Sequence, residues 1–168
     1  MKSKAPQVFK NAVNKTARQA RKRIAQSAKG AYTVKQVGFN SHMKIKNAST
    51  GNLTASVDAD GKPLTLVRFK NRAGRPKKGG AAAAADIVNG GLKQLVSSQG
   101  GKAFKRNGLV MQREGKDRLP VKVFHSNSVP KMVEKVYQGE RGMAGTLKEP
   151  IQSDLRKNLE AEIKKIVG

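Results

Sequence analysis

One stretch of the chain, from Ala103 to Val136, constrains its fold more than any other. Two apolar runs, 109–111 and 119–123, flank the turn-forming residues 114–117. Apolar residues in alternation on either side of a short polar loop that contains Gly predict a β-hairpin with one buried face. Pro120 cannot donate a ladder hydrogen bond, so the second strand is expected to lie at a sheet edge or to begin there.

A helix is predicted directly after this hairpin. Ser128 is a good N-cap, Pro130 is tolerated in the first turn, and Gly139 is expected to end the helix. The apolar residues recur at helical spacing, so the helix and the hairpin have two faces that can bury each other. These residues are Val129, Met132, Val133, Val136 and Tyr137.

The N-terminal part of the chain, from Pro6 to Lys29, also has a helical pattern. Its apolar stripe is formed by Phe9, Val13, Ala17, Ala20, Ile24 and Ala28. Four cations fall within about 60° of one another on the opposite side, at about 100° per residue. We call these four residues the basic ridge: Lys15, Arg18, Lys22 and Lys29. The ridge is either a solvated face or a contact with phosphate or an acidic partner, and the lack of nearby acids leaves it without intrahelical pairing.

The other elements complete an α+β fold, which we expect to be a single domain over residues 1–168. Residues 43–47, 53–59 and 64–66 alternate as three short strands, which predicts an antiparallel meander packed against the first helix. Residues 146–167 repeat apolar side chains about every four positions, which predicts a C-terminal helix. This helix either covers the core or contacts another subunit.

Residues 68–85 predict a long basic loop or arm, because glycines and alanines follow the cations and nothing there can bury a face. Loops of this length are uncommon unless they are functional or disordered. The conformation of Ala81–Ala85 stays open at this point. The cations are Arg68, Lys70, Arg72, Arg75, Lys77 and Lys78.

The net charge points to a polyanionic or acidic partner. The chain has 35 Lys and Arg against 11 Asp and Glu, a formal net charge of +24. A fold with this imbalance repels itself unless a partner neutralises it. The excess is uneven, since residues 1–57 hold 12 cations and no acid whereas residues 132–168 hold 7 cations and 6 acids. One part of the chain is therefore suited to an anion, and the other to an ordinary protein partner.

The sequence displays no enzyme chemistry, and we expect no catalytic residue, metal or cofactor. Cys is absent, and His42 and His125 each lack a neighbour at metal-ligand spacing. Ser126 follows His125, but adjacent strand residues point to opposite faces. The Gly-Gly pairs lack the context of a nucleotide-binding loop. No stretch reaches the roughly 18 apolar residues of a membrane span, so no membrane partner is expected.

Several short motifs lie in order along residues 8–135. They are the run Asn14–Ala20, the segment Lys62-Pro63-Leu64 leading to Phe69, and Ala103–Arg106. The most specific motif is Leu119-Pro120-Val121 followed by Ser128-Val129-Pro130. Together these motifs resemble the minor tail protein Z family of tailed bacteriophages, also described as tail-completion or head–tail joining proteins, with Asn127 where that family has Pro.

The resemblance implies a structural virion protein of the tail or neck, assembled in the host bacterial cytoplasm. It implies a ring of copies of the chain, a hexamer, between the tail terminator and the head connector, around a channel for double-stranded DNA. Contacts to DNA would be independent of sequence and sensitive to salt. In this hypothesis the ridge and the 68–78 cations face DNA or acidic neighbours. Leu119, Pro120, Val121, Val129 and Pro130 form the core and assembly motif.

A second hypothesis fits the composition as well. Small size, high positive charge and extended basic segments are also typical of ribosomal or chromatin proteins that bind nucleic acid. Tight, salt-sensitive binding to free DNA or RNA without oligomerisation would favour this alternative. An enzyme such as a nuclease would need a cluster of carboxylates or His, which the sequence does not display.

Overall fold

Three helices and ten short strands make up the computed structural model, which describes residues 4–35, 37–74, 80–98, 100–140 and 145–167. The helices are α1 (Ala5–Ala31), α2 (Val129–Tyr137) and α3 (Lys148–Val167). The strands are β1 (Met43–Lys46), β2 (Ser56–Ala59), β3 (Pro63–Thr65), β4 (Lys70–Arg72), β5 (Ala84–Asp86), β6 (Lys93–Gln94), β7 (Phe104–Arg106), β8 (Leu109–Arg113), β9 (Val121–Val123) and β10 (His125–Ser128). An N-terminal helix, antiparallel sheets and a C-terminal helix confirm the predicted α+β class.

The strands form four small antiparallel sheets, β1-β2, β3-β10, β4-β5-β6 and β7-β8-β9. The prediction of a three-stranded meander over residues 43–66 is wrong. β1 and β2 do pair, with Met43 opposite Ala59, but β3 pairs with β10 instead. Leu66 is not in a strand, because the chain turns into a 3₁₀ helix at Leu66–Arg68. Local alternation therefore identified the strands without identifying the partner of the third one.

The predicted hairpin and the helix after it are confirmed. β8 and β9 pair with Met111 opposite Val123. The Ser128 hydroxyl caps α2 by accepting from the Lys131 N–H. Gly139 has a φ of +78° and ends the helix, as the Gly139 and Glu140 amides donate to the carbonyls of Val136 and Lys135. This arrangement satisfies carbonyl groups of the last turn of α2.

α1 packs antiparallel to α3 as well as against α2 and the β1–β2 hairpin. Polar contacts link α1 to α3 along their length, among them the following three. Arg23 forms an ion pair with Asp154 at 2.7 Å, the Asn158 amide donates to Thr16 Oγ1 at 2.9 Å, and the Asn11 amide donates to Glu162 at 3.2 Å. The C-terminal helix therefore packs on α1, with Ile151 against the core, and its predicted contact with another subunit stays a prediction.

The apolar stripe of α1 matches the prediction except at its first residue. Ala17, Ala20, Ile24 and Ala28 are buried and Val13 is half-buried, but Phe9 is 43% exposed. Val8 and Ala12 are buried at this end instead, because α3 contacts α1 on the side of Asn11.

The prediction that the segment 68–85 cannot bury a face is wrong for its described residues. Ala82 to Ala85 are buried, and Ala84 and Ala85 belong to β5, which lies between β4 and β6. A Cβ on Gly74 would lie 2.1 Å from the Ala83 nitrogen, so the two backbones pack together without side chains between them. Small side chains allow this close approach, and the last four alanines of the run belong to the buried interior.

The buried core lies between α1, α2 and the sheets. Its largest fully buried side chains are Phe69, Met132, Val110, Val129 and Val136. Among the described residues, no helix is long and apolar enough to cross a bilayer.

Candidate polyanion-facing surface

All four residues of the basic ridge are exposed on α1. Of the residues that the structure describes, none lies in ion-pair contact with Lys15, Arg18, Lys22 or Lys29. Arg18 lies back along the helix, with its Nε donating to the Asn14 carbonyl at 3.2 Å. The ridge therefore presents its charges to the outside of the fold, as the helical spacing predicts.

In the run Asn14–Ala20, some side chains are buried and hold α1 in place, whereas others are exposed. The Asn14 side chain is buried, donates to the Ala48 carbonyl at 3.0 Å and accepts from the Ala48 amide at 2.7 Å. Thr16 donates to the Ala12 carbonyl and accepts from Asn158 on α3. Lys15 and Arg18 point outward between these anchors. The neighbours on both sides thus fix the rotation of α1, which keeps the ridge exposed.

An acid lies near one end of the ridge. Glu162 on α3 accepts hydrogen bonds from Lys165 and Asn11, and these two bonds lower the pKa of its carboxyl below the usual 4.5, with a smaller contribution from the charge of Lys15. Lys15 is thus electrostatically coupled to α3, although it does not reach Glu162 closely enough to form an ion pair.

The second predicted group of cations is partly described. Arg68 follows in the 3₁₀ turn, and Lys70 and Arg72 lie on the edge strand β4, all three exposed. Lys70 and Arg72 project from the same side of that strand because they are two residues apart. Arg75, Lys77 and Lys78 lie outside the described residues, so their part in the prediction is not tested.

The two parts of the predicted assembly motif differ in exposure. Leu119 is 70% exposed, Pro120 is exposed after a cis peptide bond, and Val121 is half-buried. Val129 is fully buried and Pro130 half-buried at the start of α2. The alternation of Leu119, Val121 and Val123 predicts burial, but the apolar side of this strand lies outside the packed core. Val129 is a core residue, whereas Leu119 is a surface residue.

Asp86 is a feature that the sequence analysis missed. Its side chain is 4% exposed, and its Oδ1 is buried without a hydrogen-bond partner. Lys70 lies opposite Asp86 in the β4–β5 ladder, but its exposed side chain forms no ion pair with Asp86. No periodicity surrounds Asp86, and its burial comes from the alanine-lined strand before it.

The residues that could form a metal site do not come together. Within the part of the chain that the structure describes, no three His, Asp or Glu side chains are grouped to hold an ion. Asp58 and Asp60 instead form ion pairs with Lys46 and Lys44 at 2.8 and 3.6 Å. Hydrogen bonds from Lys46 and Ser56 lower the pKa of the Asp58 carboxyl. His42 Nδ1 contacts the Asp60 carbonyl at 3.1 Å, a turn contact.

Comparisons of the chain with protein-family models, with curated proteins and with solved structures find no match.

Proposed function

We propose that this chain is a structural virion protein of a tailed bacteriophage, a tail-completion or neck subunit that forms a ring around the DNA channel. The observation that carries the DNA-facing part is the basic ridge, four exposed cations on a firmly packed helix without ion-pair partners among the described residues. The phage part comes from the resemblance carried by the motifs in residues 8–135. In this proposal the chain contacts DNA and serves as a structural subunit, without a catalytic role.

The charge of the ridge supports contact with a phosphate backbone. Cations that neutralise phosphates release counterions, so the affinity falls as salt rises, with a slope of about −0.9 per phosphate contacted. Such contacts position the protein without reading sequence. A ring repeats the ridge around its axis, which suits a channel through which DNA of any sequence passes.

The test measures binding of mixed-sequence double-stranded DNA against salt by fluorescence anisotropy. Charge reversal of Arg18→Glu with Lys22→Glu is expected to reduce the salt slope by about 2. A matched control reverses Arg156→Glu with Lys157→Glu, an exposed pair on α3, and is expected to leave the slope unchanged. Equal losses in the two variants would remove the ridge from the proposal.

The particle supplies the second test. Electron microscopy of tails assembled with the protein should show a ring about the tail axis, and the protein should be a component of purified virions. A monomer that binds DNA or RNA tightly, forms no ring and is absent from particles would favour the ribosomal or chromatin alternative.

A further inference from the structure

The C-terminal end of α1 lies against a second group of cations. The Lys35 amide donates to the Arg68 carbonyl at 2.7 Å, and the Lys70 amide donates to Thr33 Oγ1 at 3.3 Å. These backbone contacts place three exposed cations beside one another, a few residues beyond Lys29 at the end of the basic ridge. We call these three residues the junction patch: Lys35, Arg68 and Lys70.

Hydrogen bonds fix the end of α1 relative to the sheet β4-β5-β6. The Thr33 hydroxyl donates to the Asp86 carbonyl while it accepts from the Lys70 amide, so one hydroxyl links the chain after α1 to both β4 and β5. The Asn89 amide donates to the Ala31 carbonyl at 3.0 Å. The ridge and the junction patch are therefore held in a fixed relation to each other.

The positive charge around this junction is not used in ion pairs within the described structure. Of the described residues, none forms an ion pair with Lys29 or with a member of the junction patch. Residues 61–113 hold twelve cations and one acid, Asp86. The Asp86 side chain is buried. The surface here is therefore cationic without an exposed acid from this part of the sequence.

The end of α1 does not use these cations as caps. Lys and Arg side chains near a helix C-terminus can bond its last carbonyls. Here neutral donors take that role, because the Ala28 and Ala31 carbonyls accept from the Tyr32 and Asn89 amides, both at 3.0 Å. The three charges of the patch also exceed the roughly half negative charge of a helix C-terminus. The cations are thus left for an external anion.

The aromatic residues beside the junction patch face the core. Tyr32 precedes Thr33 and Phe69 precedes Lys70, and these two aromatic side chains are 3% and 0% exposed. Proteins that bind single strands combine cations with aromatic side chains on which the bases stack. The ridge and the patch consist of Lys and Arg alone. They are therefore suited to the phosphates on the outside of a duplex.

We propose that the ridge and the junction patch form one continuous basic track that contacts the phosphate backbone of a single DNA duplex. This inference rests on the proposed function in one respect, that the polyanion is DNA. It adds Lys35 to the contact set and joins two groups of cations into one site. The ridge spans about 21 Å from Lys15 to Lys29, or about six base pairs, and the patch extends the contact beyond Lys29.

The seven cations of the track determine the expected salt dependence. Each phosphate contact contributes about −0.9 to the slope of log affinity against log salt, so seven contacts give a slope of about −6. Between about 0.05 M and about 0.2 M salt, the wild type is then expected to lose affinity about 4,000-fold.

The test measures this slope by fluorescence anisotropy with a mixed-sequence duplex of about 20 base pairs, longer than the ridge alone can cover. The patch variant is Lys35→Gln with Lys70→Gln. A second version, Lys35→Gln with Arg68→Gln, leaves β4 unchanged. The matched control is Lys116→Gln with Lys122→Gln, two exposed lysines of the β8–β9 hairpin. Each variant removes two positive charges.

We expect either patch variant to lower the slope by about 2, so that the same salt range weakens binding about 250-fold, and the control to keep the wild-type slope. Combining a patch variant with Arg18→Glu and Lys22→Glu should lower the slope by about 4, because contacts to one duplex add. If the ridge and the patch bound separate duplexes, the tighter site would set the slope and the losses would not add. Such a result would overturn the continuous track.

The remaining outcomes separate this inference from the proposed function. A patch variant with the wild-type slope, beside a ridge variant with a reduced slope, would overturn the track and leave the DNA-facing ridge standing. A wild type whose affinity does not vary with salt would overturn both. A single strand of the same length should bind more weakly than the duplex at each salt concentration, and equal or tighter binding would overturn the assignment to a duplex.

Discussion

The buried carboxylate of Asp86 lies beside aliphatic side chains and is expected to lower the stability of the fold. A carboxylate oxygen that is removed from water without a hydrogen bond retains its desolvation penalty. The side chain follows four buried alanines, so the strand places it in the interior and supplies no donor to its Oδ1.

We therefore expect Asp86→Asn to raise the free energy of unfolding by about 1–3 kcal/mol, because the neutral amide is less costly to bury. Urea denaturation monitored by circular dichroism measures the change. The control is Asp154→Asn, which weakens a partly exposed ion pair with Arg23 and should lower stability by up to about 1 kcal/mol. A loss of stability in Asp86→Asn would mean that the charge itself is used in the fold.

Burial also decides which apolar truncations matter. The strand alternation predicts a buried side chain at Val123, and the helical spacing predicts one at Leu155. Both side chains are half-buried, and Leu155 lines an open apolar groove between α1, α2, α3 and β2. Phe69 is fully buried in the core. We expect Phe69→Ala to lower the free energy of unfolding by about 3–5 kcal/mol and Leu155→Ala by less than about 2 kcal/mol. Equal losses in urea denaturation would show that the groove is closed in solution.

Among the elements, α1 and α3 share a few polar contacts. Asn158 is 5% exposed and donates to both Thr16 and Gln19 on α1, at 2.9 and 2.7 Å. Asn158→Ala removes both bonds, so we expect a loss of about 1–3 kcal/mol and faster amide exchange in α3. Asn11→Ala, which removes an exposed bond to the same helix, is the control and should change little. Unchanged exchange in Asn158→Ala would place the stability of this helix pair in its apolar contacts.

The elements differ in how far the sequence predicts them. The β8–β9 hairpin, α2 and the ridge of α1 follow from local patterns, since spacing and turn residues act within a few positions. β7 was missed although Asn107-Gly108, with φ values of 48° and 72°, forms the two-residue turn of a β7–β8 hairpin. That signal was present in the sequence.

Other elements could not be predicted because partners far along the chain define them. The alanine run has no periodicity, and β5 becomes a strand through its neighbours β4 and β6 and through the Ala83–Ala103 hydrogen bond of 2.7 Å. β3 pairs with β10, which lies far along the chain, with Thr65 opposite His125. Within the candidate surface, the exposure of Lys15 and Arg18 was predictable from helical geometry. The anchors Asn14 and Asn158, which hold that helix in place, required the structure.

For the whole molecule, the most unusual property is the excess of positive over negative charge, a formal net charge of +24. Among the described residues the ion pairs are mostly exposed, and each such pair contributes about 0–1 kcal/mol. Thirty-five cations against 11 acids leave many more repulsive than attractive pairs. Salt weakens both kinds, so its net effect reports which kind prevails.

We therefore expect stability to increase with salt. Raising the ionic strength from about 0.01 M to about 0.15 M shortens the screening length from about 30 Å to about 8 Å, which removes most long-range repulsion. The urea midpoint of the wild type should rise over this range, measured with a salt whose ions do not bind the protein.

The rise should be smaller when Arg18 and Lys22 are both changed to Glu, because these two cations lie in a segment without acids. The Arg156→Glu, Lys157→Glu control should keep more of it, since acids surround that pair on α3. A midpoint that stays level or falls with salt would show that the ion pairs outweigh the repulsion, and the charge excess would then no longer argue for a polyanion as the missing partner.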